Sequence, residues 1–114
     1  MLWKKIPGYD KHEINELGHI RLGTQLLETK ISNYGYETVV LQRGGISKSM
    51  RVHRILAICF LPNPENKTCI QHKNGDKLDN RLSNIEWVTY ADASQHRIRG
   101  DRDAKRNIQP STQK

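Results

Sequence analysis

At 114 residues the chain is long enough for one small domain with a short appendage. The hydrophobic fraction of 35% indicates a modest core, and the sequence shows neither a signal peptide nor an apolar run of roughly 18 residues, so we expect an intracellular, cytoplasmic protein without a membrane partner. The 19 Lys and Arg residues exceed the 12 Asp and Glu residues, and the resulting charge of +7 favours a polyanionic partner over a merely solubilising role.

Residues 1–49 predict short strands joined by turns. After a turn-rich start, Ile14, Ile20 and Leu22 alternate loosely with polar residues, and 15–18 supply the turn between them. Residues 36–51 then alternate in the manner of a β-hairpin whose turn is at 43–45.

Residues 52–61 predict an α-helix. Val52, Ile55, Leu56 and Cys59 have the i, i+3, i+4, i+7 spacing of a single helical face, and Pro62 ends the helix. The two cysteines of the chain, Cys59 and Cys69, lie in apolar runs without any C-x-x-C spacing. We expect buried, reduced thiols and no structural zinc site.

The stretch from Cys69 to His96 follows a strand–loop–strand–helix order. Residues 68–72 and 84–88 predict the two strands, and a polar loop with Gly75 at its tip joins them. Thr89 has the position of a helix N-cap, with Asp92 three residues later.

This stretch also contains groups suited to cleaving a phosphodiester. A histidine such as His72 can take a proton from water near neutral pH, and a divalent cation can stabilise the charge that develops on the phosphate. An asparagine on the facing strand can hold the loop and the histidine in place.

Two motifs in this order resemble the HNH homing endonucleases of phages and mobile introns. Residues 52–64 read VHRILAICFLPNP, and residues 70–93 read IQHKNGDKLDNRLSNIEWVTYADA. The first part, WKKIPGYD at 3–10 and HEINELGHIR at 12–21, resembles the small module that often precedes such domains.

The resemblance implies an α+β protein. It would have a small antiparallel β module at 1–49 and a ββα-metal nuclease domain at 50–99. Residues 100–114 are polar and show no periodicity, so we expect a disordered tail there. The resemblance also implies double-stranded DNA as the partner, one divalent metal ion as the cofactor, with Mg²⁺ first and Mn²⁺ as the alternative, and a phage-infected bacterial host.

The same resemblance assigns roles to single residues. His72 would be the general base and Asn84 the central asparagine that braces the loop across the two strands. The family's two metal ligands map to Gln71 and Ala93. Glutamine is a neutral and weak ligand, whereas alanine offers none.

Three explanations for Ala93 stay open at this point. The alanine is an engineered change that traps an uncleaved state, or the protein is naturally impaired and acts by binding, or another group replaces the missing ligand. His96, one turn further along the helix, and the neighbouring Asp92 are the candidates for replacement, with helix capping as the alternative role for Asp92.

Basic residues cluster in sequence around the motif, and we expect some of them to contact DNA phosphates. The predicted contacts are Arg51, Arg54, Lys73 and Lys77, with solvated surface charges as the alternative. One ββα site cuts one strand, so a monomer would nick DNA and a homodimer would cut both strands. The short chain favours loose sequence specificity or a partner protein that targets it.

Overall fold

The structure is a computed structural model that describes residues 2–93. The predicted tail at 100–114 and the candidate ligand His96 lie outside this range. The strands are β1 (Trp3–Ile6), β2 (Tyr9–Asn15), β3 (Ile20–Leu22), β4 (Gln25–Leu26), β5 (Lys30–Ile31), β6 (Glu37–Arg43), β7 (Ile46–Arg51), β8 (Cys69–His72) and β9 (Ile85–Val88). One helix, α1, spans Val52–Phe60, a 3-10 turn spans Leu82–Asn84, and residues 90–93 are helical.

Strands β1 to β4 form an antiparallel sheet in sequential order. The turn between β2 and β3 is held by Asn15, whose side-chain Oδ1 accepts hydrogen bonds from the amides of Leu17 and His19, each at 3.0 Å. Gly18 completes this turn with a φ of 87°, and a Cβ there would meet Val52 and Leu56 at 3.4 Å. Glycine therefore allows both the turn and the close approach of α1.

Strands β5, β6 and β7 form a second antiparallel sheet. The two-residue turn between β6 and β7 has a φ of 58° at Gly44 and 81° at Gly45. Positive φ at both central positions is the geometry of a type I′ turn, whose twist matches that of the flanking strands. The predicted hairpin and its turn are confirmed.

Helix α1 lies between the sheets and supplies much of the core. Val52, Ile55, Leu56 and Ala57 are all 1% exposed or less, whereas Ile58, on the other side of the helix, is 43% exposed. The core continues into the strands through Ile6, Ile14, Ile20, Val39, Leu41 and Ile85. The helix ends at Phe60, and Leu61 adopts an extended conformation immediately before Pro62, as the sequence predicts.

Strands β8 and β9 form a two-stranded antiparallel sheet whose register pairs Gln71 with Glu86 and His72 with Ile85. Thr89 then caps the following helical residues, because its hydroxyl accepts a hydrogen bond from the amide of Asp92 at 3.1 Å. The predicted strand–loop–strand–helix order is confirmed as far as residue 93.

Two predictions about local structure were wrong. The start of the chain is a β-hairpin, β1 with β2, in which only the link at 7–8 is a turn. Cys59 and Cys69 are free thiols, as predicted, but both are only partly buried. Cys59 packs against the core from outside it, and Cys69 is the first residue of β8. The division of the chain between residues 49 and 50 stays a prediction.

No helix within residues 2–93 combines the length and the hydrophobicity that crossing a bilayer requires.

Candidate active site

His72 ends strand β8 in a buried position, 6% exposed, beside two other rings. The imidazole of His53, from α1, lies with its ring centroid 4.7 Å from that of His72. The ring of Tyr36 stacks on His53 at 5.2 Å and lies 6.2 Å from His72. The candidate general base is therefore packed into an aromatic cluster, which we define as Tyr36, His53 and His72.

A chain of hydrogen bonds fixes the His72 ring from the loop side. Its Nε2 lies 2.7 Å from Oδ1 of Asn80, and Nδ2 of Asn80 donates to Oε1 of Glu37 at 3.0 Å. The hydroxyl of Thr29 donates to the other carboxylate oxygen of Glu37 at 2.7 Å. The N-terminal strands therefore hold the loop residue that holds the candidate base.

Asn84 is buried, 6% exposed, and its side chain spans the loop between β8 and β9. Oδ1 accepts a hydrogen bond from the amide of Asn74 at 3.1 Å, and Nδ2 donates to Oδ1 of Asn74 at 3.0 Å and to the carbonyl of Asp79 at 2.8 Å. These three bonds tie both sides of the loop to one residue, because a single amide has both donors and an acceptor. The catalytic importance of this bracing stays a prediction.

The loop is also held by Asp79. Its carboxylate accepts from the guanidinium of Arg81 at 2.7 and 2.8 Å and from Nδ2 of Asn74 at 2.9 Å. The hydrogen bonds from Arg81 first, and then from Asn74, hold the pKa of Asp79 well below its usual range. Asp79 therefore stays a charged acceptor that keeps the loop folded beside His72.

His53, the second residue of α1, is 6% exposed. Its Nδ1 has no hydrogen-bond partner among the described residues. Burial first, and then the nearby His72, Arg51 and Arg54, lower the pKa of His53 to about 4. His53 is therefore neutral at physiological pH and adds no positive charge beside the candidate base.

The four basic residues predicted to contact DNA are all exposed, but their surroundings differ. The guanidinium of Arg51 lies 4.1 Å from the centroid of the Tyr36 ring. The ammonium of Lys77 lies 5.0 Å from the same ring and donates to the carbonyl of Tyr34 at 3.0 Å. Arg54 follows His53 in sequence and helps to lower its pKa, and Lys73 follows His72. Arg51 and Lys77 thus contact the aromatic cluster through Tyr36, whereas Arg54 and Lys73 adjoin its histidines in the chain.

The resemblance assigns two positions to metal binding, Gln71 and Ala93, and together their side chains offer a single metal-ligating atom. Oε1 of Gln71 is buried and has no hydrogen-bond partner within residues 2–93, whereas Nε2 of Gln71 contacts the Glu86 carboxylate at 2.6 Å. Ala93 has no donor atom in its side chain. No group of three or more His, Cys, Asp or Glu residues in that range is arranged to hold a metal ion. One orphaned neutral oxygen does not make a metal site, so the described residues do not fit the expected metal centre by themselves.

Sequence reasoning missed part of this arrangement. The sequence places Tyr36 and Glu37 in the predicted hairpin and His53 in the predicted helix, and it assigns none of them to the site. For Asn80, the sequence predicts hydrogen bonds to the backbone of the turn, with bracing of the loop beside the site as the alternative. The Glu37–Asn80 contact joins residues 43 positions apart, so no local spacing signals it.

Comparison with known proteins agrees with this geometry. Residues 50–95 match a family model described as HNH endonuclease. The chain is 37% identical to an uncharacterized HNH endonuclease of Acanthamoeba polyphaga mimivirus, over 85% of this chain and 26% of that protein. It is also 37% identical to DNA endonuclease I-HmuI of Bacillus phage SP01, over 78% of this chain and 53% of that protein.

A solved structure shares the fold. The structure described as DNA binding and cleavage by the HNH homing endonuclease I-HmuI superposes with a TM-score of 0.78 and 32% identity, over 88% of this chain and 60% of that one. The chain thus spans about a quarter to about half the length of these curated relatives. The predicted α+β fold and the resemblance found in the sequence are confirmed.

Proposed function

Because the chain carries a domain of the HNH endonuclease family over residues 50–95, we propose that it is a DNA endonuclease that hydrolyses phosphodiester bonds in double-stranded DNA. The observation that supports this most is the placement of His72, a buried histidine with one ring nitrogen bound to Asn80 at 2.7 Å. A base held in this way suits the activation of water at neutral pH.

In the proposed reaction, His72 removes a proton from water. With Nε2 hydrogen-bonded to Asn80, Nδ1 is the nitrogen that accepts this proton. The water oxygen forms a bond to phosphorus while the bond from phosphorus to the leaving sugar oxygen breaks, and that oxygen takes a proton from solvent. Arg54 and Lys73, both exposed, would hold the phosphate by charge.

The HNH nuclease family generally uses a divalent metal ion. For this chain we propose Mg²⁺, with Mn²⁺ as the alternative, as the ion to supply in assays. Because Gln71 offers one neutral oxygen and Ala93 offers none, we assign no step of the reaction to a metal here.

A second candidate function is a DNA-binding module with impaired cleavage. Ala93 favours it, because the position that the family uses for a ligand carries a methyl group. The basic surface around His72 would still bind phosphates in such a protein. The two candidates differ only in whether DNA strands are cut.

The strand outcome follows from the number of sites. A monomer with one site would nick one strand, whereas a homodimer would present two sites and cut both. A partner protein that targets the enzyme is the other assembly we consider. We propose the cell of an infected bacterium as its setting, because I-HmuI comes from a bacteriophage.

Nicking of supercoiled plasmid tests the proposal. The protein and its Ala93→Asn variant are each incubated with plasmid in Mg²⁺ or Mn²⁺, and nicked and linear products are separated on agarose. We expect nicking, faster in Ala93→Asn because the amide restores an oxygen donor at the missing ligand position. Nicked product without linear product indicates a monomeric action.

The matched control is His72→Ala, which should abolish nicking while DNA binding persists. Binding by the parent chain and by Ala93→Asn without nicking by either would favour the binding module. Nicking by His72→Ala at the parental rate would remove His72 as the base.

A further inference from the structure

We propose that Glu37, a residue of the N-terminal strands, is a positioning residue that determines which ring nitrogen of His72 acts as the base. The inference rests on the proposed function only in treating His72 as a catalytic base. The hydrogen-bond geometry and the first test, which uses no DNA, are independent of that function. Glu37 opens strand β6 and is half-buried, 43 positions before the loop residue it contacts.

The orientation of the Asn80 amide follows from its contact with Glu37. A carboxylate accepts hydrogen bonds and does not donate them, so the group of Asn80 that faces Glu37 at 3.0 Å must be its nitrogen. The oxygen of Asn80 then faces Nε2 of His72 at 2.7 Å. Glu37 thus decides the orientation of an amide that would otherwise be free to rotate by half a turn.

The tautomer of His72 follows from that orientation. An amide oxygen can only accept, so Nε2 of His72 must carry the proton. In the neutral ring the lone pair for proton transfer then lies on Nδ1. If the Asn80 amide were turned around, its NH₂ group would face Nε2, and the ring would hold its proton on Nδ1, where it could not take one from water.

The carboxylate of Glu37 is itself held in place. Thr29 donates to its second oxygen at 2.7 Å from the segment that precedes β5. Lys77, from the loop next to His72, reaches the carbonyl of Tyr34 just before Glu37 at 3.0 Å. The N-terminal strands and the loop are thus joined at two points beside the candidate base, which makes the strands part of the catalytic apparatus.

Nitrogen NMR of His72 tests the inference without DNA. Long-range ¹H–¹⁵N correlation spectra of the neutral ring at alkaline pH show which nitrogen bears the proton. We expect the Nε2-protonated form in the parent protein and a mixture of both forms in Glu37→Ala. A parent spectrum with the proton on Nδ1 would overturn the inference directly, with no variant needed.

A rescue variant separates positioning from mere structural support. In Glu37→Ala combined with Asn80→Asp, both oxygens of the new carboxylate can only accept, so Nε2 of His72 is again forced to carry the proton. We expect this double variant to return to the Nε2-protonated form although Glu37 is absent. A mixture that persists in a folded double variant would contradict the proposed mechanism.

Kinetics provide the second readout. In an actively nicking background, Glu37→Ala should lower kcat roughly 10- to 100-fold with an unchanged KM for DNA, the range typical of residues that orient metal-bound histidines. Glu37→Gln, which still offers an oxygen to Asn80, should retain most of the activity. A rise in KM with unchanged kcat would assign Glu37 to DNA binding instead.

The two proposals fail separately. If no background nicks DNA but the His72 ring shows the expected tautomers, the proposed function fails and the positioning role stands. If nicking occurs and the tautomer of His72 is the same in Glu37→Ala as in the parent protein, the positioning role fails and the proposed nuclease function stands.

Discussion

At the scale of single residues, burial prevents charge repulsion between the two histidines of the aromatic cluster. His53 and His72 lie 4.7 Å apart, and two positive rings at that distance would repel each other. The pKa of His53 is lowered to about 4, firstly by burial, so His53 stays neutral while His72 works. The neutral ring of His53 packs against His72, and His72 is then the histidine of the cluster that would transfer protons.

The lowered pKa of His53 predicts an acid-sensitive fold. The unfolded chain binds a proton at the ordinary pKa of 6.5, but the folded protein resists it until about 4, so stability falls as the pH drops between these values. We expect the free energy of unfolding, measured with urea, to be about 1–2 kcal/mol lower at pH 5 than at pH 7.5 because of this residue.

The comparison variant for this experiment is His53→Phe, which keeps a ring against Tyr36 but cannot be charged. The loss of stability between the two pH values should shrink by about the same 1–2 kcal/mol. Burial also lowers the pKa of His12, so both proteins keep that contribution. An identical pH dependence in the two proteins would show that His53 titrates normally.

At the scale of elements, the loop between β8 and β9 is a built part of the site. Asn84 bonds to Asn74 and to the carbonyl of Asp79, and the next residue, Asn80, holds His72. The hydrogen bond from Asn84 to the carbonyl of Asp79 therefore also fixes the position of Asn80, the residue that orients His72. Stability and chemistry are coupled through one buried amide.

We expect Asn84→Ala to lower both stability and nicking. Loss of three hydrogen bonds at about 1 kcal/mol each should reduce the free energy of unfolding by about 2–3 kcal/mol. The matched control is Asn63→Ala, which removes two bonds to Lys67 in the connector after α1. At a temperature where both variants are folded, only Asn84→Ala should nick more slowly, and equal nicking would show that the loop does not position His72.

The sequence predicts the elements whose pattern is local. Alternation and a Gly-Gly turn identify the β6–β7 hairpin, and helical spacing with Pro62 identifies α1. The sequence does not predict strand β1, because this strand lies at the edge of its sheet. The exposed Lys4 and Lys5 obscure the alternation that a half-buried strand shows.

The residues of the candidate site also differ in whether a local pattern predicts them. His72 and Asn84 lie in a compact motif, and the prediction of their roles follows from its resemblance to the HNH family. Glu37, the first residue of β6, and Tyr36, immediately before it, reach the same site only through the folding of the chain. The Glu37–Asn80 and Tyr36–His72 contacts are long-range, so spacing in the sequence carries no information about them.

At the scale of the whole molecule, the net charge of +7 has to be divided into charges that are used internally and charges that remain for a partner. Seven basic residues cluster in sequence around the motif: Lys48, Arg51, Arg54, Lys67, Lys73, Lys77 and Arg81. Two of them are paired with carboxylates, Lys67 with Glu65 at 3.1 Å and Arg81 with Asp79 at 2.7 Å. The other five are the candidates for phosphate contacts.

Five phosphate contacts predict a steep dependence of DNA affinity on salt. Each contact releases condensed counterions from the duplex, so the logarithm of the binding constant should fall with the logarithm of salt concentration at a slope of about −4 to −5. Fluorescence anisotropy of a labelled duplex between low and moderate salt measures this slope. Lys73→Gln should make it shallower by about 0.9, whereas Lys67→Gln, whose parent residue is paired with Glu65, should leave it unchanged. A flat salt dependence in the parent protein would contradict a phosphate-binding surface around His72, and equal effects of the two variants would mean that the ion pair opens on DNA.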